Sequence, residues 1–336
     1  MRAWEIRGEG GVDALALGER PAPEPGPGEV LVRVHASSIN YRDLATIENP
    51  TPRGIVYPRV PNSDAAGEVV AVGPGVERVR VGERVMSTFF RRWPDGAIDA
   101  EAMASALGGA IDGVLAESVV LGERAVVPIP EHLSFVEAAT LPCAGVTAWH
   151  SLVEFARVQP GDTVLLLGTG GVSVFALQIV GMLGARAIVT SSSDEKLERA
   201  KALGAWRTVN YRREPEWERA VVAATDGRGV DHVVEVGGPG TLARSVAAVR
   251  VGGSIGLIGV LSGGQLDPTP IMRKSIRLQG IYVGSTAMHA RLARAVAAHR
   301  LSPVVDRVFR FEDARDAYRA MRAAGHLGKL VITLDG

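Results

Sequence analysis

A single cysteine, Cys143, stands in 336 residues. That excludes an intrachain disulfide and a structural zinc site built from four cysteines. Net charge is missing as well: 37 Lys and Arg balance 37 Asp and Glu. No global basic field would draw the chain to nucleic acid or an anionic membrane. No apolar run reaches the ~20 residues of a membrane span. The opening MRAWEIRGEGGVDAL lacks the apolar core of a signal peptide, so the cytoplasm is the expected compartment. Lysine is scarce, limited to Lys196, Lys201, Lys274 and Lys329, which says nothing about function. The remainder is ordinary: 46% hydrophobic and 22% charged residues make a foldable globular chain, long enough for two domains.

The first ~120 residues carry the period of half-buried strands. GEVLVRVHAS (28–37) sets Val30, Val32 and Val34 against Leu31, Arg33 and His35, which makes His35 a strand residue. Three apolar runs separated by turns fill 67–85, as in a small antiparallel barrel. The stretch 91–113 reads as a surface excursion returning at 114–121. From about residue 160 apolar runs alternate with Ala/Leu-rich helical segments through 277–284. Six strands with crossover helices predict an α/β fold with a doubly wound parallel sheet. The last stretch offers a helix to His299, a strand near 304–311, a helix over 312–324 and a closing strand KLVITL. Its two strands exceed the six-strand count, so this tail is assigned back to the N-terminal domain.

Between the first parallel strand and its helix stands Gly168-Thr169-Gly170-Gly171-Val172-Ser173. The first glycine permits a tight turn, and the second lets backbone approach a pyrophosphate seated on the helix N-terminus. Ser173 takes the third glycine position and is small enough for close packing. Such a turn alone is a weak signal; after TVLLL, opening a helix inside a six-strand pattern, it is strong. Near Thr190, where a ribose-binding carboxylate is expected, the chain reads Ser191-Ser192-Ser193-Asp194-Glu195-Lys196. Serines with a lysine can donate to a 2′-phosphate that a carboxylate would repel. A capping box of Ser192 with Glu195 is expected to start the next helix and to leave the Ser191 hydroxyl and Lys196 for the phosphate. NADPH is the expected cofactor and NADH the open alternative, with Asp194 as the rival ribose contact.

PGPGEVLVRVHASSINYRDL, SDAAGEVVAVGPGV, LPCAGVTAWHSL and LLLGTGGVSVFALQ, in this order, resemble the medium-chain dehydrogenase/reductase superfamily. Within it they resemble the zinc-independent branch of quinone oxidoreductases and zinc-type alcohol dehydrogenase-like proteins. The resemblance spans essentially the whole chain. It implies a GroES-like barrel over 1–124 and 286–336, a Rossmann domain over 125–285, a cleft between them, and a homodimer built along the Rossmann sheet edge at 277–283.

The resemblance also locates a missing metal. Asn40 stands where zinc members place a first cysteine, and Ser63-Asp64 where they place His-Glu; only Cys143 matches a ligand position. One thiolate and one carboxylate fall short of three protein ligands, so no zinc is expected, and Cys143 reads as a buried small hydrophobe. Without a metal, hydride transfer rests on hydrogen bonds and positioning. Asn40 and Tyr41 are the expected catalytic residues: an amide for the substrate oxygen, a hydroxyl for a hydrogen bond or proton. The plainer alternative makes Asn40 a turn residue and packs Tyr41 on the barrel. Tyr57 and Asp43 are weaker candidates. Thr147 resembles the threonine at the nicotinamide ribose, and Tyr211 a tyrosine beside the 2′-phosphate. Gly237, Ile258, Gly259 and Val260 lie at strand carboxyl ends, where ligands of open α/β sheets bind. Val283, Ser285 and Lys329 resemble positions lining the nicotinamide and phosphates.

The expected function is hydride transfer from NADPH to a quinone, enone or related carbonyl as the small-molecule partner. Metal-free alcohol oxidation with NAD(P) is the second reading, and a dinucleotide-binding redox sensor with little turnover the third.

Overall fold

The computed structural model describes residues 1–261 and 263–334. The chain divides into two compact units, Met1–Val146 together with the stretch from Gly284, and Thr147–Val283. The first boundary sits further along the chain than residue 124 because the strand Val126–Pro128 pairs antiparallel with Arg84–Ser87.

The spine of the first unit is the long strand Glu29–Ile39. It pairs antiparallel with Asp64–Val72, with Ser118–Gly122 and with Lys329–Thr333. Val30, Val32 and Val34 are all buried, as their alternation predicts. The same core takes Trp4, Phe311 and Tyr318, so residues from both ends of the chain share it. The tail returns as expected: Lys329–Thr333 lies between Glu29–Ile39 and Val305–Arg310.

Three expectations for this unit need correction. Two of the three apolar runs in 67–85 are strands, but the middle one is not. Glu77 and Arg78 donate their backbone N–H groups to the Glu123 carboxylate, both at 2.9 Å, where a strand would have a ladder. The 91–113 stretch is no surface excursion, since Trp93, Ala102, Ala106 and Leu107 are buried. The helix expected over 312–324 begins only at Ala314, after a 3₁₀ turn Phe311–Asp313 that buries Phe311.

The second unit is the doubly wound sheet. Its strand order is Arg207–Asn210, Arg186–Ser191, Thr163–Leu167, Val230–Glu235, Val249–Leu257 and Arg277–Gly280, with every pairing parallel. Thr163–Leu167 and Val230–Glu235 are buried at every position, as strands covered on both faces must be. The order reverses beside Thr163–Leu167, which puts the topological switch point at its carboxyl end. The cap of the helix Asp194–Ala202 differs from expectation. Ser193, not Ser192, accepts from the Lys196 N–H, because Ser193 has the extended backbone of an N-cap. Among the described residues no helix is long and apolar enough to cross a membrane.

Candidate functional site

In the parallel-sheet unit, Thr163–Leu167 runs into Gly168, whose φ of 72° favours glycine. The helix Gly171–Met182 starts three residues later. Ser173 closes the turn by donating its hydroxyl to Leu167 O at 2.6 Å, which explains a small residue there. Gly170 is different. Its φ of −77° is open to any residue, and no chain atom lies within 4 Å of the Cβ it would carry. Neither backbone nor packing asks for glycine there, so the space it leaves fits a ligand against a helix start whose first N–H groups have no intrahelical acceptor. Gly171 and Val172 form that first turn. The residues fit a dinucleotide pyrophosphate.

The glycines at the ends of the fourth and fifth strands answer to the chain itself. A Cβ on Gly259 would sit 1.6 Å from Val236 O. Gly237 and Gly238 are held by a residue that sequence reasoning missed. The fully buried Glu235 carboxylate accepts from both their N–H groups, at 2.8 and 3.0 Å, and from the hydroxyls of Thr241 and Ser245. Ile258 and Gly259 donate to the Glu235 carbonyl. Val260 stands 78% exposed beside them. Glu235 thus ties together two strand ends at which cofactor contacts are expected. Its signal was present as a carboxylate inside an apolar run, HVVEVGG.

At the end of the second strand, Ser191 accepts the Tyr211 N–H on its carbonyl at 3.1 Å and the Ser193 N–H on its hydroxyl at 3.3 Å. This brings Ser191, Ser192 and Tyr211 together, with Lys196 one turn into the helix. Asp194, the rival ribose contact, accepts from Asn210 Nδ2 at 2.7 Å and pairs with Arg213. Thr147 is buried. Val283 holds a left-handed φ of 55°, and its carbonyl accepts from His150 Nδ1 at 2.7 Å. Burial lowers the His150 pKa below its ordinary value.

In the barrel unit, Asn40 ends the strand Glu29–Ile39 and caps the helix Tyr41–Glu48. Its N–H donates to Asp43 Oδ2 at 2.9 Å. Its Oδ1 accepts from Lys329 Nζ at 2.5 Å, and the same ammonium donates to Ile39 O at 2.7 Å. Lys329, expected near the cofactor phosphates, is buried in this cluster, 3.9 Å from Asp64 Oδ2. Asp64 accepts from Ser63 Oγ at 2.6 Å, and from Ser38 Oγ and the Cys143 N–H at 3.2 Å each. Burial holds the Asp43 carboxyl above the usual range, against the pull of Arg42 and with the help of Asp64. Tyr41 is 55% exposed, so it does not pack against the barrel. Tyr57 bonds Thr51 through its hydroxyl, and Ser285 spends its own capping the helix Thr286–His299.

This cluster does not fit a catalytic zinc. Both Asp64 oxygens already accept hydrogen bonds, an ammonium stands beside them, and Asn40 and Ser63 supply neither an imidazole nor a thiolate. Among the described residues, no group of three or more His, Cys, Asp and Glu could hold a metal ion.

Comparisons with known proteins agree with both units. The alcohol dehydrogenase GroES-like domain family matches residues 26–131, and the zinc-binding dehydrogenase family matches 171–298. A zinc-type alcohol dehydrogenase-like protein of Schizosaccharomyces pombe is 42% identical over 97% of this chain and 96% of its own. A crystal structure of an NAD-dependent alcohol dehydrogenase is 35% identical at a TM-score of 0.91, covering 99% of this chain and 100% of that one. A mycobacterial protein solved in complex with NADPH is 28% identical at a TM-score of 0.82, with 99% of each chain covered.

Proposed function

The chain belongs to the medium-chain dehydrogenase/reductase superfamily of NAD(P)-dependent oxidoreductases, and from that premise we propose a metal-free, NADPH-dependent reductase of a quinone, enone or related carbonyl. One observation carries the reading: where a metal set would stand, an asparagine amide is held by a buried lysine. The bound nicotinamide would supply the hydride. Gly168, Gly170, Gly171 and Val172 would hold its pyrophosphate. Ser191, Ser192, Lys196 and Tyr211 would take the 2′-phosphate. Asp194 is spent on Asn210 and Arg213, which favours this assignment over a ribose contact. Thr147, Gly237, Ile258, Gly259, Val260, Val283 and Ser285 would line the rest of the cofactor. Asn40 would donate to the substrate oxygen as charge develops there, and the exposed Tyr41 hydroxyl would exchange the proton. The alcohol dehydrogenase names of the relatives support the reverse reaction, alcohol oxidation, as the second reading.

A panel of quinones, enones, aldehydes and alcohols, each with NADPH and NADH, tests the proposal. Carbonyl-dependent NADPH consumption is expected, undiminished by chelators. About one zinc per chain, lost together with activity, would overturn the metal-free reading. Lys196→Ala is expected to weaken NADPH about ten- to a hundredfold, the range of a lost charge-assisted bond, and to spare NADH. Equal losses for both cofactors would remove the phosphate assignment. We place the enzyme in the cytoplasm as a homodimer paired along Arg277–Gly280, an edge strand open to pairing. A monomer in analytical ultracentrifugation would refute the dimer.

A further inference from the structure

We propose that Lys329 is a positioning residue: it fixes the Asn40 carboxamide with its N–H end turned to the substrate oxygen, and strengthens that end as a donor. The inference rests on the reading of Asn40 given above, and it concerns what makes that amide effective.

An amide side chain can sit in either of two orientations, and its neighbours decide which. Here the neighbour leaves one choice. An ammonium only donates, so the Asn40 atom 2.5 Å from Lys329 Nζ is the oxygen. The Asp43 carboxylate, holding the Asn40 N–H at 2.9 Å, fixes the backbone beneath it. The nitrogen must then point the other way. It does so without a partner: Asn40 is 8% exposed, and its Nδ2 is buried with no acceptor among the described residues. A buried donor left unmet costs free energy, and native chains keep few of them. A bound substrate oxygen would supply the acceptor that the chain does not.

The lysine does more than orient. A cation at the amide oxygen draws the nitrogen lone pair into the carbonyl, which leaves the N–H more positive and a better donor. Lys329 also keeps this charge available, because Ile39 O and Asp64 hold the ammonium in place without competing for the Asn40 nitrogen. Positive charge thus reaches the reacting oxygen through one amide, in a cluster that holds no metal set.

Selective ¹⁵N labelling of asparagine side chains tests this directly, since the chain has four asparagines, at 40, 49, 62 and 210. The Asn40 signal is identified by its loss in Asn40→Asp. In wild type its two Nδ2 protons are expected to exchange slowly, and at least tenfold faster in the Lys329→Met/Asp64→Asn double variant, which removes both members of the buried ion pair. With NADP⁺ bound, 2-cyclohexenone should shift the wild-type Asn40 signal and leave that of the double variant in place. Unchanged exchange in the double variant would overturn the proposal, whatever the enzyme reduces. Asn40→Asp covers the case in which the double variant does not fold. It keeps the contact with Lys329 but offers no N–H. About a 100-fold or greater fall in kcat is expected, the cost of one lost oxyanion donor, with NADPH affinity within threefold of wild type. Retained kcat there would leave Lys329 with a structural role alone. A wild type inert towards every carbonyl would remove the functional reading instead, and the exchange rates would still decide the role of Lys329.

Discussion

The two candidate regions differ in how fully the chain satisfies them. In the barrel cluster, Lys329, Asp64 and the oxygen of Asn40 find hydrogen-bond or ionic partners in the chain, while the Asn40 amide nitrogen and Asp43 Oδ1 are left without a hydrogen bond. At the glycine turn the chain leaves open space beside Gly170 and a helix start with unmet N–H groups. A saturated region depends on its own contacts for stability, while an unsaturated one is shaped by what binds it. Substitutions should therefore separate the two: stability should fall in the first and affinity in the second.

The largest effect is expected from Asp64→Ala. It leaves the Lys329 ammonium buried without its carboxylate, a loss of about 3–5 kcal/mol, measured by urea denaturation. The affinity of the folded protein for NADPH should stay within twofold. A stability change below about 1 kcal/mol would break the comparison.

Next comes pH, which carries the comparison beyond the two clusters. His232, in the parallel-sheet unit, lies between Ser151 Oγ and Ser254 Oγ at 2.9 Å each. His289, in the barrel unit, has two buried ring nitrogens without a hydrogen-bond partner. Burial lowers both to about 3, with Arg277 adding repulsion at His232. The folded state therefore binds fewer protons than the unfolded chain between pH 6.5 and about 3. Stability is full above that window and falls as pH drops through it, by at most about 1.4 kcal/mol per unit for each histidine. His289→Leu should remove one share of the slope and leave stability at pH 7 unchanged or higher, since no hydrogen bond is lost. An identical slope in that variant would show that His289 contributes nothing to it.

The smallest effect sharpens the comparison most. Gly170→Ala adds a methyl group where no chain atom lies within 4 Å, so melting should be unchanged while dinucleotide affinity drops about tenfold, or ~1.4 kcal/mol. Gly259→Ala meets Val236 O and should do the reverse, lowering the melting temperature. Equal outcomes for the two variants would mean that the open space beside Gly170 is not a ligand site.

The same contrast explains what was legible in the sequence. The glycine turn, the six parallel strands and the returning C-terminal strand carry local signals: an apolar run, a period, a glycine where a strand becomes a helix. The Ser193 cap was missed by one residue, because three consecutive serines offer the same chemistry and only the backbone conformation selects among them. Val76–Arg80 has strand composition, yet a distant carboxylate, Glu123, takes its N–H groups. The Asn40 site was half legible. Asn40 and Asp64 could be placed from the motifs around them, but the lysine that orients the amide lies 289 residues further on. No window around Asn40 contains that information.

The returning strand also sets an order of events during synthesis. Thr147–Val283 is continuous and can fold as soon as it leaves the ribosome. The unit begun by Met1 cannot finish until Lys329–Thr333 emerges to pair with Glu29–Ile39. A nascent chain stopped before residue 329 would own a complete nucleotide fold and a half-built sheet whose long strand shows a bare edge. Chaperone demand should therefore concentrate on the first-made residues, which wait longest for their last partner.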